Sequence, residues 1–425
     1  MENTNFAPYL AIAQQAMISV WNRTPRDFQN EAIPRLLMMC CMPNTPSAML
    51  LVQGTGGGKS AVPQAVGTVT CGVTLVIENT LSLSADQHSK IKNANSGHGP
   101  IKAFHLDSIR TKRNQDKLCK LLVNLPDNTD ATIFLFSSPE YLLNDPWKHT
   151  MQTLINKSLL RLVCIDEVHQ FVMFGCTFRP NFGLLKKSLF QHMISHKDHN
   201  PISNTSGLPV KLKVPLLLMT ATFNIELLNI LQTMIGIRIP PTMFLWSGRD
   251  CMQRRTVRIS VSMSLQYLRL IKEILKRILS GNLSKKVIIY TNTASRAELI
   301  KQEIDSWLNL TSSFEGDTIM INGEMESEVK LISATTFTDE ATNPRSIIDN
   351  NEFYPRVLIA TSSCIGAGLD SSSVFSVIRV RFPTSILDMI QEMGRCGRNR
   401  NNDGTEPSDD FFLFLSLQDF VYLNE

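Results

Sequence analysis

A glycine-rich segment at residues 53–60 contains the residue types that bind phosphate groups. It follows the apolar run 48–52 and precedes a helical pattern, so its backbone N–H groups can surround a phosphate at a helix N-terminus. We expect Lys59 to reach the β- and γ-phosphates of a nucleoside triphosphate and the Ser60 hydroxyl to ligate Mg²⁺. Gln53 stands where the strict pattern has glycine, and an ordinary flexible glycine turn is the alternative. The predicted phosphate-binding residues are Gly54, Thr55, Gly56, Gly57, Gly58, Lys59 and Ser60.

Two adjacent carboxylates, Asp166 and Glu167, follow another apolar run at 160–165. Ligands of open parallel sheets bind beyond the carboxyl ends of the strands, so acids placed here suit a catalytic site. One carboxylate can hold Mg²⁺ through water while its neighbour deprotonates an attacking water. We assign Asp166 to the metal ion and Glu167 to the base, with His169 as a further catalytic candidate. An acidic pair alone is more often a solvated strand end, but its place after a phosphate loop favours catalysis.

Short apolar runs must form the strands that position these segments. The runs are 48–52, 73–77, 132–136, 160–165 and 214–219 in the first half, and 287–290, 318–321, 357–360, 377–380 and 411–415 in the second. Two such sets predict an α/β chain with two tandem doubly wound parallel-sheet lobes. We place the lobes at 1–240 and 257–425. A linker is predicted at 241–256, where a Pro-Pro pair leads into a basic stretch.

Composition sets only broad limits on function. The formal charge of +4 and the pI near 8.5 permit a polyanionic partner without requiring one. The 9 cysteines show no zinc-ligand spacing, which favours buried thiols in a reducing compartment. Because no apolar run is long enough to span a bilayer, and the N-terminus lacks the pattern of a secretory signal, we expect no membrane segment.

The order of these motifs resembles that of the superfamily 2 helicases, and within them the RecQ branch, from about residue 26 onward. The resemblance implies RecA-like lobes with an ATP site in the cleft between them, and an acidic box that reads Asp-Glu-Val-His at 166–169. Arg26 and Gln29 resemble the adenine-reading motif, in which Gln29 hydrogen-bonds the base and Arg26 packs beside it.

Four further segments of the first half match the family. Residues 81–87 resemble a motif for DNA contact, which includes Ser82 and Gln87, while 137–140 and 220–222 match two later motifs. Residues 166–180 resemble the RecQ aromatic-rich loop, whose aromatic faces can stack on bases of single-stranded DNA. The residues assigned to DNA in this loop are Phe174, Phe178 and Arg179. Packing of Phe171 and Phe174 under the lobe, and an ion pair for Arg179, are the structural alternatives.

The second half also carries family motifs. Segments 287–292, 360–370 and 391–398 resemble the first strand, motif five and motif six of the second lobe, motif five with one extra residue. A planar guanidinium can stabilise charge on a transferred phosphoryl group, so Arg398 is the expected arginine finger and Arg395 contacts phosphate beside it. The remaining assignments are Gln391 to catalysis, Asp370 to nucleotide binding, and Thr291 and Thr361 to DNA.

The resemblance implies a DNA-stimulated ATPase with 3′-to-5′ helicase or translocase activity, which uses ATP and Mg²⁺. Its partner would be single-stranded DNA or a junction of single and double strands, in DNA repair or recombination, and in the nucleus of a eukaryotic host. RecQ enzymes usually continue into a four-cysteine zinc module and a winged helix. Neither is expected here, which favours single-strand engagement over independent strand separation. An RNA helicase and a helicase-derived binding protein without turnover are the alternatives.

Overall fold

The computed structural model describes most of the chain in segments. These are residues 7–42, 48–54, 56–78, 91, 101–170, 172, 184–194, 212–223, 225–246, 257–264, 266–281, 286–312, 329–332, 357–361, 374–383, 385–396, 409–416 and 419. The chain divides into two compact units, Met1–Met252 and Gln253–Glu425. Each unit has its own parallel sheet. No helix among the described residues is long and apolar enough to cross a membrane.

The first unit is built on seven strands. They are β1 (Ala48–Val52), β2 (Gly72–Ile77), β3 (Ile101–His105), β4 (Thr132–Ser137), β5 (Leu160–Ile165), β6 (Leu216–Thr220) and β7 (Phe244–Trp246). All pairs are parallel, and the order across the sheet is β3-β4-β2-β5-β6-β1-β7. Every residue of β1, β2 and β4 is buried, as expected of strands that helices cover on both faces.

Two helices of this unit precede its first strand, and the others lie between its parallel strands along the chain. The helices are α1 (Ala7–Ser19), α2 (Asp27–Cys41), α3 (Ala61–Thr70), α4 (Lys112–Val123), α5 (Pro139–Leu142), α6 (Trp147–Asn156), α7 (Gln191–Met193) and α8 (Ile225–Ile235). A π-helical turn at Lys186–Phe190 precedes α7, and single 3₁₀ turns occupy Leu106–Ser108 and Pro241–Met243. The loop at 53–60 thus joins β1 to the N-terminus of α3, as the sequence predicts.

The second unit has six described strands and three described helices. They are β8 (Val257–Met263), β9 (Lys286–Thr291), β10 (Val329–Ile332), β11 (Val357–Thr361), β12 (Val374–Val380), β13 (Asp409–Leu415), α9 (Tyr267–Gly281), α10 (Ala294–Ser312) and α11 (Ile386–Met393). The order of the parallel sheet is β10-β11-β9-β12-β13-β8. Alternate residues of β9 pack on opposite faces: Ile289 joins the cluster with Ile300 of α10, and Ile288 joins the cluster with Phe411. A core on each face confirms the doubly wound architecture.

Strands in the middle of each sheet confirm the sequence prediction, whereas strands at the edges depart from it. The predicted runs at 48–52, 132–136, 160–165 and 357–360 all lie within observed strands, and the run at 318–321 lies outside the described residues. The apolar runs did not predict β3, β7, β8 and β10, and all four are edge strands of the described sheets. An edge strand is covered less completely, so polar residues interrupt its apolar pattern.

The linker predicted at 241–256 begins too early. Pro241–Met243 forms a helical turn, and Phe244–Trp246 forms strand β7, which pairs with β1 in the first sheet. The Pro-Pro pair suggested an irregular connection, and a three-residue strand is too short to show a periodic pattern. These residues therefore belong to the first unit.

Candidate nucleotide-binding site

The carboxyl ends of the strands meet at one edge of the first sheet because all the strands are parallel. The phosphate loop follows β1, Asp166 follows β5, and Thr220 ends β6, which lies between them. Backbone hydrogen bonds join these ends. The Gln53 N–H donates to the Thr220 carbonyl at 3.0 Å, and the Val168 N–H donates to the Met219 carbonyl at 2.9 Å. The fold therefore brings the predicted phosphate loop and acidic box to the same edge.

Glycines determine the shape of the phosphate loop. Gly56 and Gly58 have φ angles of 70° and 95°, in the left-handed region that glycine enters without steric cost. A Cβ on Gly57 would lie 2.6 Å from Gln53 Cγ and 2.7 Å from the Gly54 carbonyl oxygen. The Gln53 side chain, which departs from the strict pattern, therefore fits because residue 57 has no side chain.

Arg26 and Gln29, predicted to contact adenine, contact the phosphate loop. Arg26 Nη1 donates to the carbonyl oxygens of Gly56, at 3.3 Å, and of Gly57. Gln29 is buried; its Nε2 donates to the Gly58 carbonyl at 2.8 Å, and its Oε1 accepts from the Arg26 backbone N–H at 2.8 Å. The loop conformation thus depends on the two side chains that the sequence assigns to base recognition.

The ammonium group of Lys59 lies between the phosphate loop and the acidic box. Its Nζ donates to the Gln53 carbonyl at 3.1 Å, and its charge lowers the pKa of Asp166. Lys59 is largely buried, so water screens this charge little. A cation in this position can neutralise phosphate oxygens held by the loop.

Asp166 and Glu167 are both buried, with 5% and 6% of their surface exposed. Burial, reinforced by repulsion from Glu167, raises the pKa of Asp166 from its ordinary 3.8 to about 6, although Lys59 and a backbone N–H act in the opposite direction. That N–H belongs to Glu167 and donates to Asp166 Oδ1 at 2.8 Å. Glu167 has a φ of 48°, in the left-handed region that few non-glycine residues adopt. The pair concentrates negative charge that a cation would relieve.

His169 connects the acidic box to β6. Its Nδ1 lies 2.9 Å from Thr220 Oγ1 and 3.4 Å from Glu167 Oε2. The Thr220 hydroxyl donates its single hydrogen to the Thr222 carbonyl at 2.9 Å, so it must accept from His169. His169 therefore carries its proton on Nδ1, where Glu167 also faces it. The predicted catalytic residue His169 is thus hydrogen-bonded to Thr220 of the predicted motif at 220–222, and the Glu167 carboxylate lies beside the same ring nitrogen.

The residues assigned to Mg²⁺ converge on one small cavity. Ser60 and Asp166 line it together with Glu78, which directly follows β2, and its volume of about 10 Å³ is that of a single water. Hydroxyl and carboxylate oxygens are ligands that Mg²⁺ accepts, usually with several waters and substrate phosphates. Among the described residues no group of three or more His, Cys, Asp or Glu could hold a metal. The Ser60 and Asp166 oxygens suit an ion whose other ligands are waters and nucleotide phosphates.

Glu78 was missed by the sequence analysis. It is buried and follows the apolar run at 73–77 in the same way that Asp166 follows the run at 160–165. The position of this carboxylate directly after an apolar run could have identified Glu78 as a site residue from the sequence.

A hydrogen-bond network ties the loop after β4 to the loop after β3. Asp107 accepts from the Ser138 backbone N–H at 2.9 Å and from the Ser138 hydroxyl. The Tyr141 hydroxyl and Gln115 Nε2 both donate to the Ile109 carbonyl, at 2.7 and 3.0 Å. The predicted motif at 137–140 is therefore fixed to residues 107–115, which the sequence analysis did not single out.

In the second unit, Gln391 and Arg395 lie at the end of helix α11 and just beyond it, and both are buried. The helix is held by Arg379 of β12, whose Nη1 donates to Glu392 Oε1 at 2.9 Å. Arg379 also donates to the Arg381 carbonyl at 3.0 Å and to Asn292 Oδ1. Burial lowers the pKa of Arg379, and neighbouring carboxylates, Glu392 foremost, oppose that effect. Arg379 is a second residue that sequence analysis missed, although a charge inside an apolar strand is a signal.

Thr291 is buried at the carboxyl end of β9, and Thr361 is partly exposed at the carboxyl end of β11. The structure thus brings both to one edge of the second sheet. Eight predicted site residues lie outside the described residues: Thr55, Ser82, Gln87, Phe174, Phe178, Arg179, Asp370 and Arg398.

Comparisons with known proteins agree with this arrangement. Residues 26–230 match the DEAD/DEAH box helicase family, and residues 269–400 match the helicase conserved C-terminal domain. The ATP-dependent DNA helicase RecQ of Synechocystis is 25% identical over 359 residues, which cover 82% of this chain and 62% of that protein. The chain therefore spans less than two thirds of the length of this relative.

Solved structures share the two-unit fold. Saccharomyces cerevisiae Dbp5 bound to RNA and ADP BeF3 has a TM-score of 0.57 and 14% identity, with 99% of this chain and 90% of that chain covered. The helicase MrfA bound to DNA has a TM-score of 0.63 and 14% identity, with 95% and 48% covered. At these identities the likeness concerns the fold.

Proposed function

Because the chain belongs to the superfamily 2 helicases, as a RecQ-like helicase core, we propose that it is an ATP-dependent DNA helicase or translocase. The observation that carries the proposal is the meeting of the phosphate loop, Lys59, the acidic pair and His169 at one edge of the first sheet. This arrangement can bind a nucleoside triphosphate and activate a water molecule beside it. Its DNA substrate makes the nucleus the expected location in a eukaryotic host.

The proposed hydrolysis assigns one task to each group. The glycine loop and Lys59 bind the β- and γ-phosphates, while Gln29 and Arg26 select adenine. Glu167 takes a proton from the attacking water, and the His169 N–H helps to orient its carboxylate. Mg²⁺, held by Ser60 and Asp166, would neutralise charge on the phosphate oxygens. Arg398 is the proposed arginine finger, with Arg395 and Gln391 in supporting roles.

We propose single-stranded DNA as the track, with 3′-to-5′ polarity. The aromatic-rich loop supports this choice because aromatic rings at Phe174 and Phe178 can stack on successive bases, with Arg179 beside them. Ser82, Gln87, Thr291 and Thr361 are the further proposed DNA contacts, and Asp370 a further nucleotide contact. In the proposed ATPase, DNA binding would act on Thr220. The contacts of His169 with Thr220 and with Glu167 would carry this effect to the catalytic carboxylate.

The test is the steady-state ATPase rate with and without single-stranded DNA, and with RNA of the same sequence. We expect stimulation by DNA, greater than that by RNA, and its loss in Glu167→Gln. The isosteric amide keeps the shape of the site but removes the base. ATP binding without turnover in the wild-type chain would instead identify a helicase-derived binding protein, and stronger stimulation by RNA would identify an RNA helicase.

A further inference from the structure

An open cleft lies in the first unit between strand β3 and helix α4. Its volume is about 550 Å³, within the range of about 300 to 1,000 Å³ of clefts that bind small ligands. Strand β3 contributes Phe104, the turn after it contributes residues 108–111, and α4 contributes Asn114, Lys117, Leu118 and Leu121. The helix residues follow the i, i+3, i+4, i+7 spacing, so one face of α4 forms a continuous wall.

The lining combines cations with apolar surface. Arg110 and Lys117 are exposed, and in the described part of the chain no carboxylate forms an ion pair with either of them. Ser108, Thr111 and Asn114 add hydrogen-bonding groups, while half-buried Phe104 and exposed Leu121 add apolar surface. Cations beside an aromatic ring suit a nucleotide unit, which presents a phosphate and a base that can stack.

The charge of the surrounding segment has the same sign. Residues 110–120 contain five basic side chains, Arg110, Lys112, Arg113, Lys117 and Lys120, against one acid, Asp116. The other nearby carboxylate, Asp107, accepts two hydrogen bonds from Ser138. A polyanion is therefore favoured here, and an acidic peptide is the competing partner.

The position of the cleft favours nucleic acid over an acidic peptide. The turn at 106–109 follows β3 at the same edge of the sheet as the phosphate loop and the acidic box. The Asp107–Ser138 contacts join this turn to the motif at 137–140. A single strand of DNA bound along this edge of the sheet would therefore reach both the cleft and the proposed ATP site.

We propose that the β3–α4 cleft binds one nucleotide unit of single-stranded DNA. Arg110 and Lys117 contact backbone phosphate, and Phe104 stacks on a base. The inference rests on the proposed function, since the strand in the cleft is the one that stimulates the ATPase. The cleft residues contribute to DNA affinity and take no part in ATP chemistry.

The decisive variant is Arg110→Gln/Lys117→Gln, compared with Lys112→Gln/Lys120→Gln. Both double variants remove two positive charges from the same segment, but only the first pair lines the cleft. We measure binding of a fluorescent oligothymidylate by anisotropy over a range of salt concentrations. The cleft variant should bind about tenfold more weakly, and its salt slope should fall by about 1.4, because each phosphate contact to a single strand contributes about 0.7. The control variant should change affinity less than about twofold.

Two further measurements complete the design. Phe104→Leu, which keeps apolar volume but removes the ring, should weaken binding about fivefold with an unchanged salt slope. In all cleft variants the DNA concentration for half-maximal ATPase stimulation should rise, while kcat at saturating DNA stays at the wild-type value. Far-ultraviolet circular dichroism verifies that each variant is folded.

The outcomes separate the two proposals. No DNA binding or stimulation by the wild-type chain would overturn the proposed function. Strong wild-type binding with an unaffected cleft variant, or with equal losses in cleft and control variants, would overturn the cleft alone. Binding of an acidic peptide in the cleft, with DNA affinity unaffected by the cleft variant, would also overturn it.

Discussion

Replacement of Asp166 by Asn should stabilise the nucleotide-free protein while it abolishes hydrolysis. The pKa of this carboxyl is 3.8 in its ordinary state and about 6 in the fold, where burial and Glu167 disfavour its charge. Each unit of such a shift corresponds to about 1.4 kcal/mol, so charging the folded carboxyl costs about 3 kcal/mol. Asn resembles the protonated form and avoids that cost.

The sign of the pH dependence follows from the direction of the shift. Between pH 4 and about 6 the folded state binds more protons at Asp166 than the unfolded state does. The contribution of this group to stability is therefore fully present below pH 4 and is lost as the pH rises through 6. Asp166→Asn should exceed the wild type by about 3 kcal/mol at pH 8, and the two proteins should converge near pH 3.

Urea unfolding between pH 3 and 8, without nucleotide or Mg²⁺, measures this difference. Asp127→Asn, a change of the same kind at an exposed turn, should alter stability by less than about 0.5 kcal/mol at either pH. Mg²⁺ with a non-hydrolysable ATP analogue should stabilise the wild type more than Asp166→Asn. Equal stabilities at pH 8, or a wild type that gains on the variant between pH 4 and 6, would refute the reasoning.

Three other substitutions test separate contacts. Arg26→Ala removes two bonds to the phosphate loop, so the KM for ATP should rise about tenfold with kcat little changed; an unchanged KM in an ATP titration would contradict the contact. Thr220→Val removes the hydroxyl that accepts from His169, and kcat with DNA should fall about tenfold at constant KM; normal turnover would exclude the coupling. Glu392→Gln weakens a buried ion pair with Arg379 and should destabilise the second unit by about 3 kcal/mol in thermal unfolding, a loss that a surface pair would not produce.

The sequence predicts the core strands because their burial leaves no polar interruption. Residues 48–52 and 132–136 are almost entirely apolar runs, and both form fully buried strands that have a neighbouring strand on each side. Edge strand β3 carries Lys102 between apolar residues, so its pattern does not differ from that of a loop. Such an edge strand forms because it hydrogen-bonds to the neighbouring strand of the sheet, and its own sequence pattern does not reveal this pairing.

The site is predictable in its residue types and less so in its contacts. Lys59, Asp166 and Glu167 occupy the edge that their positions after strands predict. Three features of the site arise from tertiary geometry. They are the fit of Gln53 against Gly57, the positive φ of Glu167 and the role of the Thr220 hydroxyl as a hydrogen-bond acceptor. Spacing alone determines none of these, because each depends on groups from separate loops.

The buried pair of Arg379 and Glu392 has an evolutionary consequence. Loss of either partner leaves an uncompensated charge inside the second unit, so a single replacement passes through a destabilised chain. Substitutions at the two positions should therefore be inherited together, with both charges kept or both removed. Since Glu392 is adjacent to Gln391, a change at Arg379 in the core of β12 would also disturb the helix that carries the predicted motif.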